Sequence, residues 1–252
     1  MAYEAFADFY DLLNEDADYD ALFSAVHTAM MAHGIYEGIV ADLGCGTGEL
    51  TLRLADAGYD MIAVDLSAEM LSILREKAAE QEHTDLLLLN QDLTELDLYG
   101  TVRAAVSTFD TLNHIGPIEQ LQTAVSRAAL FLEPGGVFVF DMNTPYKHRE
   151  VLGDNTFVIE ADDGVCEWHN HFDAKHACTQ ITISMHDSEG ELFCERFCEY
   201  SYTLEQITAV CKEAGLSLET VLDGEAFDSL RTDSERFFIV AVKPIQAIRK
   251  EQ

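Results

Sequence analysis

Basic residues are scarce in this chain of 252 residues, which carries 15 Lys and Arg against 46 Asp and Glu and a formal net charge of −31. Nucleic-acid binding depends largely on neutralising phosphates, so this balance predicts that the protein has no nucleic-acid partner. The same charge favours a neutral or cationic small-molecule substrate. The simplest interpretation of the acidic surface, however, is that it keeps the protein in solution.

Long apolar runs are also missing, since no stretch approaches the roughly 18 residues that span a bilayer, and we expect no membrane partner. The first residues lack the basic region and the apolar core of a secretory signal, which predicts a cytoplasmic protein. The six cysteines form no CxxC pair, and in that compartment we expect reduced thiols. Only four prolines are present, and no low-complexity linker divides the chain.

Short apolar runs alternate with amphipathic segments along most of the chain. Runs typical of buried strands occur at 38–43, 59–66, 85–93, 102–107 and 135–142. Helical patterns separate them, and Ser67 is well placed to N-cap one of these helices. Continuous apolar strands that alternate with helices predict a doubly wound α/β fold, in which helices cover both faces of a parallel sheet.

The pattern changes between about residues 155 and 202, where strand-like segments are separated by turn signals such as "DDG" and "DSEG". Successive short strands with brief turns predict a small antiparallel meander. The α/β pattern then resumes with a helix closed by Gly215 and two further strands. We therefore assign residues 37–150 and 203–244 to the core and residues 151–202 to an antiparallel β insertion.

The stretch "VADLGCGTGEL", residues 40–50, places three glycines between an apolar strand and a helix. Such a turn presents backbone N–H groups and a helix N-terminus to a negatively charged group. The third glycine of the dinucleotide fingerprint would fall on Glu49. An acidic side chain at this point opposes a pyrophosphate, so a ligand with one carboxylate and one ammonium group fits better.

Two further carboxylates follow at strand ends. Asp65 ends the second predicted strand, where it can accept both hydroxyl hydrogens of a ribose, and Asp92 ends the third, where it can accept from an adenine amino group. Each signal has a structural alternative, since Asp42 can cap a turn and Asp65 can interact with the dipole of the next helix. Together they predict an extended site along the carboxyl edge of the sheet.

The segments "VADLGCGTGEL", "VDLSAEML", "NQDL" and "LEPGGVFVFDMN" resemble, in this order, the motifs of class I S-adenosylmethionine-dependent methyltransferases. The opening "YEAFADFYDLLN" and the insertion are similar to those of the amino-sugar N-methyltransferases. The resemblance covers nearly the whole chain. It implies a seven-stranded, mostly parallel sheet with an antiparallel last strand. It also implies S-adenosylmethionine as the cofactor and methyl transfer to nitrogen or oxygen of a small molecule.

The resemblance also implies roles for matching positions. The expected cofactor contacts are Tyr10, Asp42, Gly44, Cys45, Gly46, Thr47, Gly48, Asp65, Leu66, Met70, Gln91, Asp92, Leu93 and Ser107. Residues 1–36 would form an N-terminal helical lid, with Tyr3 or Tyr10 closing over cofactor or substrate. Core packing of an aromatic stripe explains the spacing of Tyr3, Phe6 and Tyr10 equally well.

The segment "STFDTLNHIGP" contains the groups that can assist the chemistry. His114 is the preferred catalytic base, because its ordinary pKa of about 6.5 suits proton removal near neutrality. A structural or surface histidine is the alternative. Asp110 and Asn113 are candidate substrate contacts that can equally shape this loop.

The insertion supplies two further substrate candidates, Trp168 and Arg196, although Arg196 can equally pair with surface carboxylates. A zinc site can be imagined from four of its side chains, His169, His171, His176 and Cys178. Their spacing matches no recognised ligand pattern, and we expect no metal.

Three other functions remain open from the residues alone. An NAD-dependent oxidoreductase is disfavoured by Glu49 and Asp92. A non-catalytic S-adenosylmethionine-binding protein would carry the same motifs, and an RNA methyltransferase is disfavoured by the net charge. The predicted oligomeric state is a monomer or a homodimer, because an exposed meander offers an edge for pairing.

Overall fold

Two β-sheets organise the computed structural model, which describes residues 17–161, 164–187 and 192–245. In chain order, the strands are β1 (Ile39–Leu43), β2 (Asp60–Asp65), β3 (Leu87–Asn90), β4 (Val102–Ser107), β5 (Leu132–Asn143), β6 (Thr156–Ala161), β7 (Gly164–Asp173), β8 (Cys178–Asp187), β9 (Leu192–Tyr200), β10 (Ser217–Asp223) and β11 (Arg236–Val242). The α-helices are α1 (Tyr19–Ala32), α2 (Glu49–Asp56), α3 (Ala68–Glu80), α4 (Ile118–Phe131) and α5 (Leu204–Glu213).

The larger sheet has seven strands in the order β10-β11-β5-β4-β1-β2-β3. Strands β1 to β5 pair in parallel, and β11 runs antiparallel to both of its neighbours, β5 and β10. This arrangement confirms the predicted mostly parallel sheet with an antiparallel last strand. The central strands end at one edge, and the loops that follow them build the site.

Helices cover both faces of this sheet, as the alternation predicted. Strand β5 divides its side chains between the faces, with Val137 and Val139 on one and Phe138 and Phe140 on the other. Helices α1 and α2 pack on the first face, whereas α4 and α5 pack on the second. The predicted N-cap of α3 is confirmed, because Ser67 Oγ accepts from the Met70 N–H at 3.2 Å.

The smaller sheet is antiparallel, in the order β6-β7-β8-β9, and it confirms the predicted β insertion. It docks on α3 through an apolar cluster that joins Met70 to Cys166, Ile181 and Ile183. Its last strand leads directly to the cavity described below. The insertion therefore supplies part of the wall of the site.

The N-terminal helix α1 buries Leu22, Val26 and Met30 against the core, and Asp18 caps it by accepting from the Ala21 N–H at 2.8 Å. The expected lid residues Tyr3, Phe6 and Tyr10 lie outside the described residues. Within the part of the chain that the structure describes, no helix combines the length and the apolar character that crossing a membrane requires.

Candidate active site

A cavity of 470 Å³ lies beside the loops that follow β1, β2, β3 and β4. Nine of the residues predicted from the sequence line it, namely Gly44, Gly46, Asp65, Leu66, Met70, Gln91, Asp92, Leu93 and His114. Four others, Asp42, Cys45, Thr47 and Gly48, line a small adjoining pocket. The motifs therefore converge on one edge of the sheet, where open α/β sheets bind ligands.

The glycine loop needs its glycines for two physical reasons. The backbone at Gly44 and Gly48 has φ angles of 76° and 90°, a region that side chains rarely adopt. A Cβ on Gly44 would also lie 2.2 Å from Thr111 Cγ2, and one on Gly48 would lie 2.0 Å from Leu74 Cδ1. The loop can therefore stay close to the cavity only with glycine at these positions.

Asp65 joins two segments of the cavity wall. Its Oδ2 accepts from the Gly46 N–H at 2.9 Å, and its Oδ1 accepts from the Ser67 N–H at 2.8 Å. Burial raises the pKa of this carboxyl, although the hydrogen bonds from Ser67 and Gly46 oppose the rise. The carboxylate is therefore held rigidly at the cavity.

Asp42 lies beneath the glycine loop and is almost fully buried. Thr51 donates to its Oδ2 at 2.6 Å. Burial raises the pKa of Asp42 to about 7, since the Thr51 hydrogen bond only partly offsets the loss of hydration. This carboxyl is therefore much harder to ionise than an exposed aspartate.

Glu49, which replaces the third fingerprint glycine, is not a free carboxylate. Lys77 Nζ lies 2.9 Å from one of its oxygens, and Arg53 Nη1 lies 2.7 Å from the other. Partial burial alone raises the pKa of Glu49, but these two cations lower it below its ordinary value. The charge of Glu49 is compensated, so it does not by itself decide which ligand the loop accepts.

Asp92, the predicted adenine contact, lies just beyond the end of β3, which is shorter than predicted. Strand β3 ends at Asn90, and Asp92 caps a short 3-10 helix by accepting from the Thr94 N–H at 2.7 Å. The side chain of Gln91 fixes the same turn through two hydrogen bonds to the backbone of Asp97. Asp92 still lines the cavity, although the strand before it ends earlier than predicted.

His114 faces the cavity from a 3-10 helix, Thr111–His114, that follows β4. Its Nε2 lies 3.5 Å from Asp110 Oδ2 and 3.8 Å from Glu199 Oε1. One ligand atom from each of the three residues lies within 4.8 Å of the others. We call Asp110, His114 and Glu199 the acidic triad.

All three residues of the acidic triad have pKa values that depart from their ordinary ones. Burial alone lowers the pKa of His114, but the hydrogen bond to Asp110 and the charges of Glu199, Asp110 and Asp65 raise it above its ordinary value. Burial and the charge of Asp110 raise the pKa of Glu199. At Asp110 burial acts in the same upward direction, yet the charge of Arg236 keeps the pKa of this carboxyl far below its usual range.

Arg236 and Asp141 lie behind the triad and were not predicted from the sequence. Arg236 donates through Nη2 to Asp110 Oδ1 and through Nη1 to Asp141 Oδ1, both at 2.8 Å. Asp141 also accepts from the backbone N–H groups of Phe109 and Asp110. One signal was available, because Asp141 follows an apolar run in the same way as Asp42 and Asp65.

Asn113 is predicted as a substrate contact but is fully buried. Its Nδ2 donates to the Tyr200 carbonyl at 2.8 Å, and its Oδ1 accepts from the Asn143 N–H at 2.9 Å. Asn143 in turn donates from Nδ2 to Glu199 Oε2 at 3.0 Å. Asn113 therefore ties the insertion to the core at the cavity. His148 is also buried, and this burial lowers its pKa to about 4.

Other predicted residues lie outside the cavity lining. Ser107 is buried and donates to the Leu43 carbonyl at 2.7 Å. Trp168 packs in the apolar cluster on α3 and donates from Nε1 to Asn170 Oδ1. Arg196 is exposed, and its strand neighbours Glu195 and Glu199 point to the opposite, buried face. Phe197, whose ring is tilted against that of His114 with the ring centroids 5.3 Å apart, lines the cavity instead.

The histidines of the insertion pair with separate carboxylates. His169 contacts Glu167, His171 contacts Asp154, and His176 contacts Asp173. Within the described ranges these side chains do not converge with Cys178, and the acidic triad is the group whose atoms lie close enough to hold a cation.

Comparison with known proteins identifies the family. Residues 40–136 match the model of the methyltransferase domain. A protein of Geobacillus sp. (strain WCH70) named "Putative methyltransferase" is 30% identical over 249 residues, which cover 96% of this chain and 100% of that protein. The crystal structure of a S-adenosylmethionine-dependent methyltransferase from Clostridium acetobutylicum ATCC 824 matches with a TM-score of 0.86 at 28% identity, covering 96% of this chain and 99% of that one.

A sugar-modifying enzyme is also similar over part of the chain. The dTDP-3-amino-3,4,6-trideoxy-alpha-D-glucopyranose N,N-dimethyltransferase of Streptomyces venezuelae is 30% identical over 150 residues, which cover 59% of this chain and 60% of that enzyme. These matches confirm the predicted methyltransferase and disfavour the NAD-dependent oxidoreductase. Together with the glycine loop and the sheet order, they show that the chain belongs to the class I S-adenosylmethionine-dependent methyltransferases.

Proposed function

We propose that this enzyme transfers the methyl group of S-adenosylmethionine to an amine nitrogen of a small molecule, which binds at the acidic triad. The single observation that carries the acceptor class is the triad itself, in which His114 lines the cavity and contacts the partly buried carboxyl of Asp110 and the buried carboxyl of Glu199. The cofactor occupies the other end of the cavity, next to the glycine loop.

The proposed cofactor contacts lie at the ends of the strands. Asp65 binds the ribose hydroxyls while it keeps its hydrogen bonds to Gly46 and Ser67. Asp92 and the backbone of Leu93 contact the adenine. The small pocket that contains Asp42 receives the amino-acid end of the cofactor. A cationic amino group there would favour the ionised form of Asp42.

The geometry of the triad suits an ammonium group. With two sides of 3.5 and 3.8 Å and a third of at most 4.8 Å, the three atoms are close enough together for one nitrogen to lie within hydrogen-bond distance of all of them. Three N–H groups of a primary ammonium can reach three such acceptors at hydrogen-bond distance. His114 accepts such a bond only in its neutral form, so the ammonium and the imidazole proton compete.

Methyl transfer then needs one proton removed and one displacement. His114 Nε2 would take one proton from the acceptor ammonium, and bound S-adenosylmethionine would supply the methyl group to the freed lone pair, with its sulfur leaving as the thioether. The products are a methylated ammonium and S-adenosylhomocysteine. Orientation of the two reactants supplies much of the effect, roughly 7–11 kcal/mol of barrier in favourable cases. His114 is therefore proposed as the base, with its raised pKa set by Asp110 and Glu199.

The relatives support a small acceptor. The name of the Streptomyces venezuelae enzyme gives an amino sugar as the methylated molecule. The net charge of −31 is consistent with a cationic acceptor and disfavours a nucleic acid. We also retain a cytoplasmic location, since the six cysteines are free thiols, and a monomer or homodimer as the assembly.

The test is methyl transfer from radiolabelled S-adenosylmethionine to a panel of primary amines and to the matching alcohols. We expect amines to be methylated and the rate to fall as the pH drops through the raised pKa of His114. His114→Gln should remove this pH dependence, whereas His171→Gln, at an exposed histidine paired with Asp154, should leave it unchanged. Methylation of alcohols alone would overturn the amine assignment.

A further inference from the structure

We infer that Arg236, acting together with Asp141, is a positioning residue for methyl transfer. The pair fixes the backbone of Phe109 and Asp110 and so places the wall that carries Thr111 and His114. This inference rests on the proposed function, because it concerns how the same cavity is shaped. Arg236 does not itself line the cavity, so it acts through the segment that it holds.

The backbone at this point needs an external constraint. Phe109 and Asp110 have φ angles of 54° and 50°, so two consecutive residues other than glycine adopt the left-handed region. Residues other than glycine rarely adopt this region, because their Cβ atom crowds the neighbouring carbonyl oxygen. Strain of this kind persists only where the surrounding structure over-determines the conformation. Phe109 lines both pockets, so the strained residues lie at the cavity itself.

Asp141 supplies one half of that constraint. Its Oδ2 accepts from the Phe109 N–H at 2.9 Å, and its Oδ1 accepts from the Asp110 N–H at 2.7 Å. Asp141 is almost fully buried near the end of β5, a strand that pairs on both sides. A rigid carboxylate therefore holds both strained N–H groups at once.

Arg236 supplies the other half from the first residue of β11. Its guanidinium bridges Asp141 and Asp110, and its Cζ lies 5.8 Å from the centroid of the Phe109 ring. Because Asp110 Oδ1 is bound to Arg236, Oδ2 faces His114. The cation thus neutralises one buried and one partly buried carboxylate and sets which oxygen the imidazole contacts.

The absence of a side chain at Gly224 leaves space for the Arg236 side chain. A Cβ on Gly224 would lie 2.6 Å from Arg236 Cγ and 2.9 Å from Arg236 Cβ. Gly224 also donates its N–H to the Arg236 carbonyl at 2.8 Å. Substitution of Gly224 therefore displaces the arginine stem without changing any charge, which provides an independent way to perturb the pair.

A lysine cannot replace Arg236 in this arrangement. The two bonds leave from different nitrogens of one planar group, and they reach two carboxylates on different segments. An ammonium is a single point charge and cannot reproduce this fork. Arg236→Lys keeps the charge and removes the geometry, so it separates positioning from simple neutralisation.

The experiment is calorimetric titration of S-adenosylhomocysteine into wild type, Arg236→Lys and Gly224→Ala. We expect both variants to raise the Kd about tenfold or more with unchanged stoichiometry. Arg231→Lys is the matched control, because Arg231 is half-exposed and pairs with Asp223 and Asp228 near the same strands. A variant that merely unfolds in part would lower the stoichiometry instead of raising the Kd.

Hydrogen exchange followed by NMR provides a second measurement. In Arg236→Lys the amides of Phe109 and Asp110 should exchange faster, while the amides of β5 and β11 keep their protection. Unchanged affinity, or exchange that rises equally at all of these amides, would overturn the inference. Failure of the wild-type protein to bind S-adenosylhomocysteine would instead contradict the cofactor part of the proposed function.

Discussion

Replacing Asp42 by Asn is expected to change the pH dependence of stability in a calculable way. The carboxyl is buried, and its pKa rises from 3.8 to about 7. The folded protein therefore holds this proton between about pH 4 and pH 7, where the unfolded chain releases it. Because the folded state binds more protons, its stability falls as the pH rises through this window. Asn is neutral throughout and can still accept the Thr51 hydrogen bond.

The magnitude follows from the size of the shift. A difference of about 3 pKa units corresponds to about 4 kcal/mol, at 1.36 kcal/mol per unit. About 3 kcal/mol of this is expected between pH 5 and pH 8. Over that range the free energy of unfolding of Asp42→Asn should therefore rise by about 3 kcal/mol relative to that of wild type.

The assay is urea denaturation followed by circular dichroism at several pH values, with the slope m compared between proteins to check the two-state assumption. Asp85→Asn makes the same charge change at an exposed position and should show no such trend. A constant stability difference between Asp42→Asn and wild type from pH 5 to pH 8 would refute the reasoning. In that case burial would not control this proton.

Two further predictions concern the cofactor end of the cavity. Gly48→Ala and Gly58→Ala both force a left-handed residue, at φ 90° and 95°, but only the first meets a neighbour, Leu74 Cδ1 at 2.0 Å. The Gly48 variant should be less stable than the Gly58 variant by about 1–3 kcal/mol and should alone lose S-adenosylhomocysteine binding; equal losses would contradict this. Asp65→Ala should weaken that binding by about 1.5–3 kcal/mol in calorimetry, and an unchanged Kd would remove Asp65 from the ribose site.

The glycine-loop side of the cavity was predictable because its residues are close in sequence and lie at strand ends. Gly44, Gly46 and Asp65 are placed by parallel strands, whose carboxyl ends necessarily meet at one edge. The order of these signals also predicted the sheet. Asp92 was slightly misplaced, because β3 ends at Asn90 and a capped turn follows.

The contacts around Asp110 and Glu199 could not be derived in the same way. Arg236 meets Asp110 across 126 positions of sequence, and Asn143 meets Glu199 across 56. These contacts depend on where the last strand and the insertion dock on the core. No local sequence pattern predicts that docking. Alternation along β9 does separate exposed Arg196 from buried Glu195 and Glu199, but the burial of two carboxylates runs against the usual preference.

Because the small sheet docks beside the core, two separately hydrogen-bonded units build the wall of one cavity. Phe197, Cys198 and Tyr200 come from a hydrogen-bonded unit of its own, whereas the glycine loop belongs to the core. Mutations in β9 can therefore change the shape of the cavity directly, whereas mutations at Cys166, Ile181 or Ile183 reach it through Met70. Any change to β9 must still accommodate Asn113, whose side chain donates to the Tyr200 carbonyl and joins the two units at the cavity.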